Sequence, residues 1–145
     1  MYGSIVVGTD GSETAQRAVE EAAQLAEAVG GQLHVVSAFE PAVGRIAGAP
    51  QGAAKVWAVA PDFEVQGVIE KALDAIRKRG VEAKSHTVEG DPVDALLKVA
   101  DRVNADLIVV GNRGMHGMGR VLGSVPNKVS HRATCSVLIV ATADA

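Results

Sequence analysis

Ser4-Ile5-Val6-Val7-Gly8 stands near the start of the chain, a helical stretch from Ala15 to Val29 follows, and Leu33-His34-Val35-Val36-Ser37-Ala38-Phe39 comes next. The two apolar runs have the length and β-branched composition of buried strands. Between them Ala15, Ala18, Val19, Ala22, Leu25, Ala26 and Val29 recur at three- and four-residue steps, so they share one helical face, and Gly30-Gly31 stops the helix. Strands separated by a helix pair in parallel through a right-handed crossover.

The same alternation continues to the end of the chain. Val65, Val68, Ile69, Ala72, Leu73 and Ile76 form a second apolar helical face, closed by Arg77, Lys78 and Arg79 ahead of Gly80. Cations suit the negative end of a helix. Glu82 to Val88 reads as a third strand, more polar and alternating, as expected near a sheet edge. Asp91 caps a third helix with Pro92 in its first position, and Val93, Leu96, Leu97, Ala100 and Val103 supply its buried stripe. Leu107 to Val110 and Val137 to Val140 are the fourth and fifth strands, with a helix starting at Ser124 and carrying Pro126 in its first turn. The fold class is α/β: a single doubly wound domain over 1–145 with a mainly parallel sheet and helices on both faces.

Composition narrows the function. A chain of 145 residues, 48% hydrophobic, builds one ordinary domain and is too short for two. A formal net charge of -3 leaves no basic excess to neutralise a row of phosphates, which argues against nucleic-acid binding while leaving a single nucleotide open. Cys135 is the only cysteine, so there is neither a disulfide framework nor a thiolate cluster for zinc, as in a reducing compartment. No signal peptide is read before the first strand and no run approaches the ~20 apolar residues of a membrane span, so a soluble, cytoplasmic protein without membrane contact is expected.

Gly111-Asn112-Arg113-Gly114, followed after eight residues by Gly123-Ser124, connects the fourth strand to the last helix. Glycines admit backbone N–H groups to a phosphate without a Cβ in the way, and a helix N-terminus favours negative charge, so this reads as a phosphate cradle. The five glycines Gly111, Gly114, Gly117, Gly119 and Gly123 also suit a plain flexible connection. Ligands of such sheets sit beyond the strand C-termini where the winding reverses. Gly8-Thr9-Asp10-Gly11-Ser12 lies just past strand one and meets the glycine loop if strands one and four are neighbours. Asp10 offers a carboxylate to a nucleotide sugar or a bound magnesium ion, yet Asp10 and Ser12 are equally good N-caps of the first helix.

These residues resemble the universal stress protein family along nearly the whole chain. The likeness rests on Ile5-Val6-Val7-Gly8-Thr9-Asp10-Gly11-Ser12, on Gly90-Asp91-Pro92, on Ala105-Asp106, and on Gly111-Asn112-Arg113-Gly114 with Gly123-Ser124-Val125 and Cys135-Ser136-Val137-Leu138-Ile139-Val140. The resemblance implies a five-stranded parallel sheet in the order 3-2-1-4-5, a role in the stress response, and a homodimer built through the last strand, Val137 to Val140. The ATP-binding branch carries G-x-x-G, nine residues, then G-[S/T]; here the gap from Gly114 to Gly123 holds eight. Carried over to matching positions, Gly111 and Gly114 face the phosphates, and Gly123, Ser124 and Val125 close on them. Asp10 meets the ribose side and any Mg2+ that accompanies ATP, with Thr9 beside it, while Ala38 and Val110 pack near the adenine. Lys55 to Pro61 looks like a stretch of cyclic-nucleotide-binding members, which keeps cyclic AMP (cAMP) as the alternative ligand.

Other residues invite sharper readings. Arg113 and Arg120 flank the glycine loop and are candidate phosphate partners, though surface arginines are common. His34, His86, His116 and His131 show no metal-ligand spacing, and surface or strand-filling roles are expected for all four. Cys135 is expected to begin the fifth strand as a buried structural thiol. The segment 40–62, broken by glycine and proline and holding Trp57, reads as an irregular loop: a lid over the nucleotide, or packing on the domain side or at a dimer contact. With no Walker lysine, no G-x-S-x-G elbow and no general base near the loop, dedicated catalysis is not expected. A regulatory protein that binds an adenine nucleotide, ATP first, and signals to an unidentified protein partner is the leading expectation. A cAMP buffer, a slow ATP hydrolase and a nucleotide-free dimerisation module are the others.

Overall fold

The computed structural model describes residues 1–39, 66–67, 69–112 and 124–141. In chain order these form β1 (Ser4–Gly8), α1 (Glu13–Val29), β2 (Gln32–Phe39), α2 (helical over 69–78), β3 (Ala83–Glu89), α3 (Pro92–Arg102), β4 (Leu107–Gly111), α4 (Ser124–Arg132) and β5 (Ser136–Val140). The strands make one parallel sheet in the order β3-β2-β1-β4-β5. The expected irregular segment 40–62, with Trp57, lies outside the described residues.

Strand periodicity sorts the core into two layers. Ile5, Val7, Leu33, Val35, Leu107 and Val109 point to the side of α1 and α2, where they meet Ala18, Ala22, Ala26, Ile69, Leu73 and Ile76. Val6, Val36, Ile108 and Val110 point the other way, onto Val93, Leu96 and Val99 of α3 and Val129 of α4. A central strand covered on both faces has no polar side, which is why β1 and β4 read as unbroken apolar runs. β3 and β5 lie at the edges and are the more polar or exposed strands; Leu138 and Ile139 of β5 are 38% and 36% exposed.

Several side chains depart from the sequence reading. Val29 was expected on the buried face of α1 and is exposed in its last turn, while Ala23, outside the expected stripe, is buried. In α3 the buried stripe is Val93, Ala95, Leu96, Val99 and Ala100, with Leu97 and Val103 only partly covered. β3 runs one residue later than expected, from Ala83 to Glu89. Cys135 precedes β5 rather than beginning it, and is half-buried rather than buried, packed against the α3 and α4 layer. Burial, and next the Asp106 carboxylate, push its thiol above the ordinary value, so it is a poor nucleophile.

Candidate functional site at the carboxyl edge of the sheet

β1 hydrogen-bonds to β2 on one side and to β4 on the other, so the chain winds in opposite directions from it and the loops after β1 and β4 meet. A cleft of about 320 Å3 opens there. Its apolar walls are Val36 and Ala38 of β2, Val110 of β4 and Leu96 of α3; Thr9, Asp10, Gly111, Ser124 and Val125 complete it. Small-ligand sites have this character, mostly apolar with a few convergent polar groups, and volumes from about 300 Å3 upward.

The loop between β1 and α1 is held by its own side chains. The Thr9 backbone N–H donates to the Val36 carbonyl (2.9 Å), extending the strand pairing by one residue. Thr9 Oγ1 accepts from Gly11 N–H (3.0 Å) and Asp10 Oδ1 from Ser12 N–H (2.9 Å), two side-chain turns in succession. Gly11 has a φ of 83°, which a residue with a Cβ adopts only under strain. Ser12 then caps α1, its Oγ accepting from Ala15 N–H (3.2 Å). Of the two N-cap candidates, Ser12 takes the role, and the exposed Asp10 braces the turn from beside the cleft. At the floor, a Cβ added to Gly8 would come within 3.0 Å of Leu96 Cδ2, so glycine at this position lets α3 lie against the strand end.

Three helices begin at this rim. α1 presents Thr14 and Ala15 to the cleft, α3 presents Pro92, and α4 presents Ser124, Val125 and Pro126. Asp91 Oδ2 caps α3 by accepting from Val93 and Asp94 N–H (3.0 and 3.3 Å). A helix start carries roughly half a positive charge. In α1 and α3 it is offset by Glu13 and by Asp91 with Asp94, whereas the first turn of α4 holds no acid, so the α4 start is the end that favours an anion.

Of the residues singled out from the sequence, Thr9, Asp10, Ala38, Val110, Gly111, Ser124 and Val125 all line this one cleft. Arg113, Gly114, Arg120 and Gly123 lie outside the described residues, as does His116. The sequence reading missed Leu96, Pro92 and Thr14. Leu96 was placed in the buried stripe of α3, and no local signal says that the start of this stripe also floors a cleft. Among the described residues no group of three or more His, Cys, Asp or Glu is placed to hold a metal ion. Asp10 is the acidic residue among those lining the cleft. No helix among the described residues is long and apolar enough to cross a membrane.

The universal stress protein family model matches residues 1–141. A universal stress protein of Mycobacterium tuberculosis is 42% identical, over 97% of this chain and 97% of its own. Among solved structures, a universal stress protein in complex with cAMP is 38% identical with a TM-score of 0.76, covering 98% of this chain and 99% of that one. A universal stress protein from Archaeoglobus fulgidus in complex with dAMP is 28% identical with a TM-score of 0.69, over 96% of this chain and 98% of its own. The sheet order, the two-layer core and the sequence match agree: this chain belongs to the universal stress protein family.

Proposed function

We propose that this protein is an adenine-nucleotide-binding regulator of the stress response that holds its ligand in the cleft between β1 and β4. The observation that carries the reading is the acid-free start of α4 beside an apolar slot formed by Val36, Ala38, Leu96 and Val110. The flat base packs in the slot, the ribose lies by Thr9 and Asp10, and the phosphate faces Gly111, Ser124 and Val125 at the start of α4. Arg113, Gly114 and Gly123 belong to the same cradle by their place in the G-x-x-G…G-S pattern. No residue is assigned a catalytic role; hydrolysis of ATP, where it occurs, is slow.

Two ligands fit this reading. The glycines Gly111, Gly114 and Gly123 with Ser124 speak for ATP, with Mg2+ between Asp10 and the phosphates, although their spacing is one residue shorter than in the ATP-binding branch; the similar structure in complex with cAMP favours the cyclic monophosphate. Calorimetric titration with ATP and with cAMP, each with and without magnesium, separates them. Several phosphate charges beside Asp10 need a counter-ion, so ATP binding weakens markedly when magnesium is removed; a single phosphate charge needs none. Magnesium-dependent ATP binding supports the first, magnesium-independent preference for cAMP the second, and silence toward both overturns the nucleotide reading.

The protein acts in the cytoplasm as a homodimer along β5, whose free edge and exposed Leu138 and Ile139 need cover. Leu138→Asp is expected to convert the dimer to monomer in sedimentation velocity runs at micromolar concentration. A variant that stays dimeric puts the contact elsewhere.

A further inference from the structure

Away from the cleft, β2 and β3 are joined by a chain of side chains that the nucleotide reading does not use. His34 of β2 is 4% exposed, and its Nδ1 lies 2.9 Å from Nε2 of the half-buried His86 on β3. His34 Nε2 lies 3.1 Å from Gln32 Oε1, and Gln32 Nε2 lies 3.0 Å from Glu82 Oε1. The chemistry of these groups orders the protons. An ionised carboxylate only accepts, so the Gln32 amide donates to Glu82 and turns its oxygen to His34. His34 therefore carries its proton on Nε2 and has a bare Nδ1, which accepts from His86 Nε2–H.

We propose that His34 and His86 form a proton-sensitive clasp across the β2–β3 seam, closed with no or one added proton and opened by the second. The first proton enters at His86 Nδ1 and leaves the mutual hydrogen bond in place, now donated by an imidazolium. The second has only His34 Nδ1 to go to, the atom that accepts the bond. Two cationic rings then face each other where a 2.9 Å hydrogen bond had been.

The surroundings resist that charge. Burial, then the charge of His86, then Lys84 lower the pKa of His34, and Glu82 opposes them. Burial, then Arg102 in the last turn of α3, then Lys84 lower that of His86. β1 presents only the apolar Val6 opposite His34. Both histidines thus have folded-state pKa values below their unfolded value near 6.5. The clasp's contribution to stability is complete above that pH and is lost as pH falls through the folded values. A histidine kept neutral in the folded protein and titrating near 6.5 when unfolded raises the unfolding constant about tenfold at pH 5.5.

The test is made on the full chain. Histidine ring resonances followed by NMR from pH 8 to 4.5 are expected to give two separated steps for His34 and His86, both below 6.5, assigned with His34→Gln and His86→Gln. In parallel, denaturant unfolding at pH 7 and 5.5 compares the wild type with the double variant, which shares every other titrating group. The wild type is expected to lose stability more steeply, its unfolding constant rising further over that interval, up to the roughly tenfold limit of a histidine that stays neutral when folded. Rings that titrate together near 6.5 in the folded wild type would overturn the proposal without any variant. Equal pH dependence of the wild type and the double variant would do the same.

Discussion

Ala38→Trp is expected to weaken nucleotide binding by a hundredfold or more, about 3 kcal/mol of binding free energy. Ala38 lies in the apolar wall of the cleft, on the strand face shared with Val36. A methyl group there leaves the slot open, whereas an indole fills it with a ring of the same shape as the base it displaces. Tryptophan is at home in strands, and Ala38 is only partly buried, beside Val88 of β3, so the fold accommodates the change. The measurement is a titration with the better of ATP and cAMP, with a melting curve to show that the variant is folded. A folded Ala38→Trp protein that binds as the wild type does would remove the base from this cleft and, with it, the proposed geometry.

Ile108→Ala is expected to cost about 2–5 kcal/mol of stability, the range for emptying a fully buried aliphatic site. Ile108 has no exposed surface; Val6 and Val137 flank it in the sheet, and it belongs to the same packed cluster as Val99 of α3 and Val129 of α4. Two layers of regular structure hold its walls, so the cavity has little freedom to collapse. Denaturant unfolding, read from the midpoint at constant slope, gives the value. A loss under about 1 kcal/mol would mean that α4 settles into the space and that this layer is loosely packed. Since α4 also supplies Ser124 and Val125 to the cleft, the same variant is expected to bind nucleotide more weakly even where it remains folded.

The two predictions probe parts of the molecule that were unequally legible in the sequence. Strand positions such as Val6, Val7, Ile108 and Val109 announce themselves, because burial on both faces demands apolar side chains at every step. The start of α3 was equally plain, since Asp91 followed by Pro92 satisfies local hydrogen bonding that depends on no distant partner. Its buried stripe was not. Which of Leu97, Val99 and Val103 is covered depends on how α3 rolls across β1 and β2, and helical periodicity leaves that rotation free by about one residue.

The same division holds for the site. Thr9, Asp10, Gly111 and Ser124 could be picked out one by one, because strand ends and helix starts carry recognisable residues. That they line one cleft followed from β1 and β4 being neighbours, which only a resemblance suggested and the strand pairing established. Ser12 rather than Asp10 as the cap of α1 was decided by the folded backbone, because both side chains are chemically able and the choice turns on backbone direction. The pairing of His34 with His86 was beyond any local signal: the two rings are fifty-two positions apart and meet through the cross-strand register.

By itself, then, the sequence determined the order and kind of the elements, the two-sided burial of the central strands and the chemical types gathered near the strand ends, all properties set by neighbours within a few positions. The tertiary structure alone decided the roll of α3, the flooring of the cleft by Leu96 and the closure of the histidine clasp. Each depends on contacts between residues far apart in the chain, and no local propensity encodes how two distant surfaces come to rest against one another.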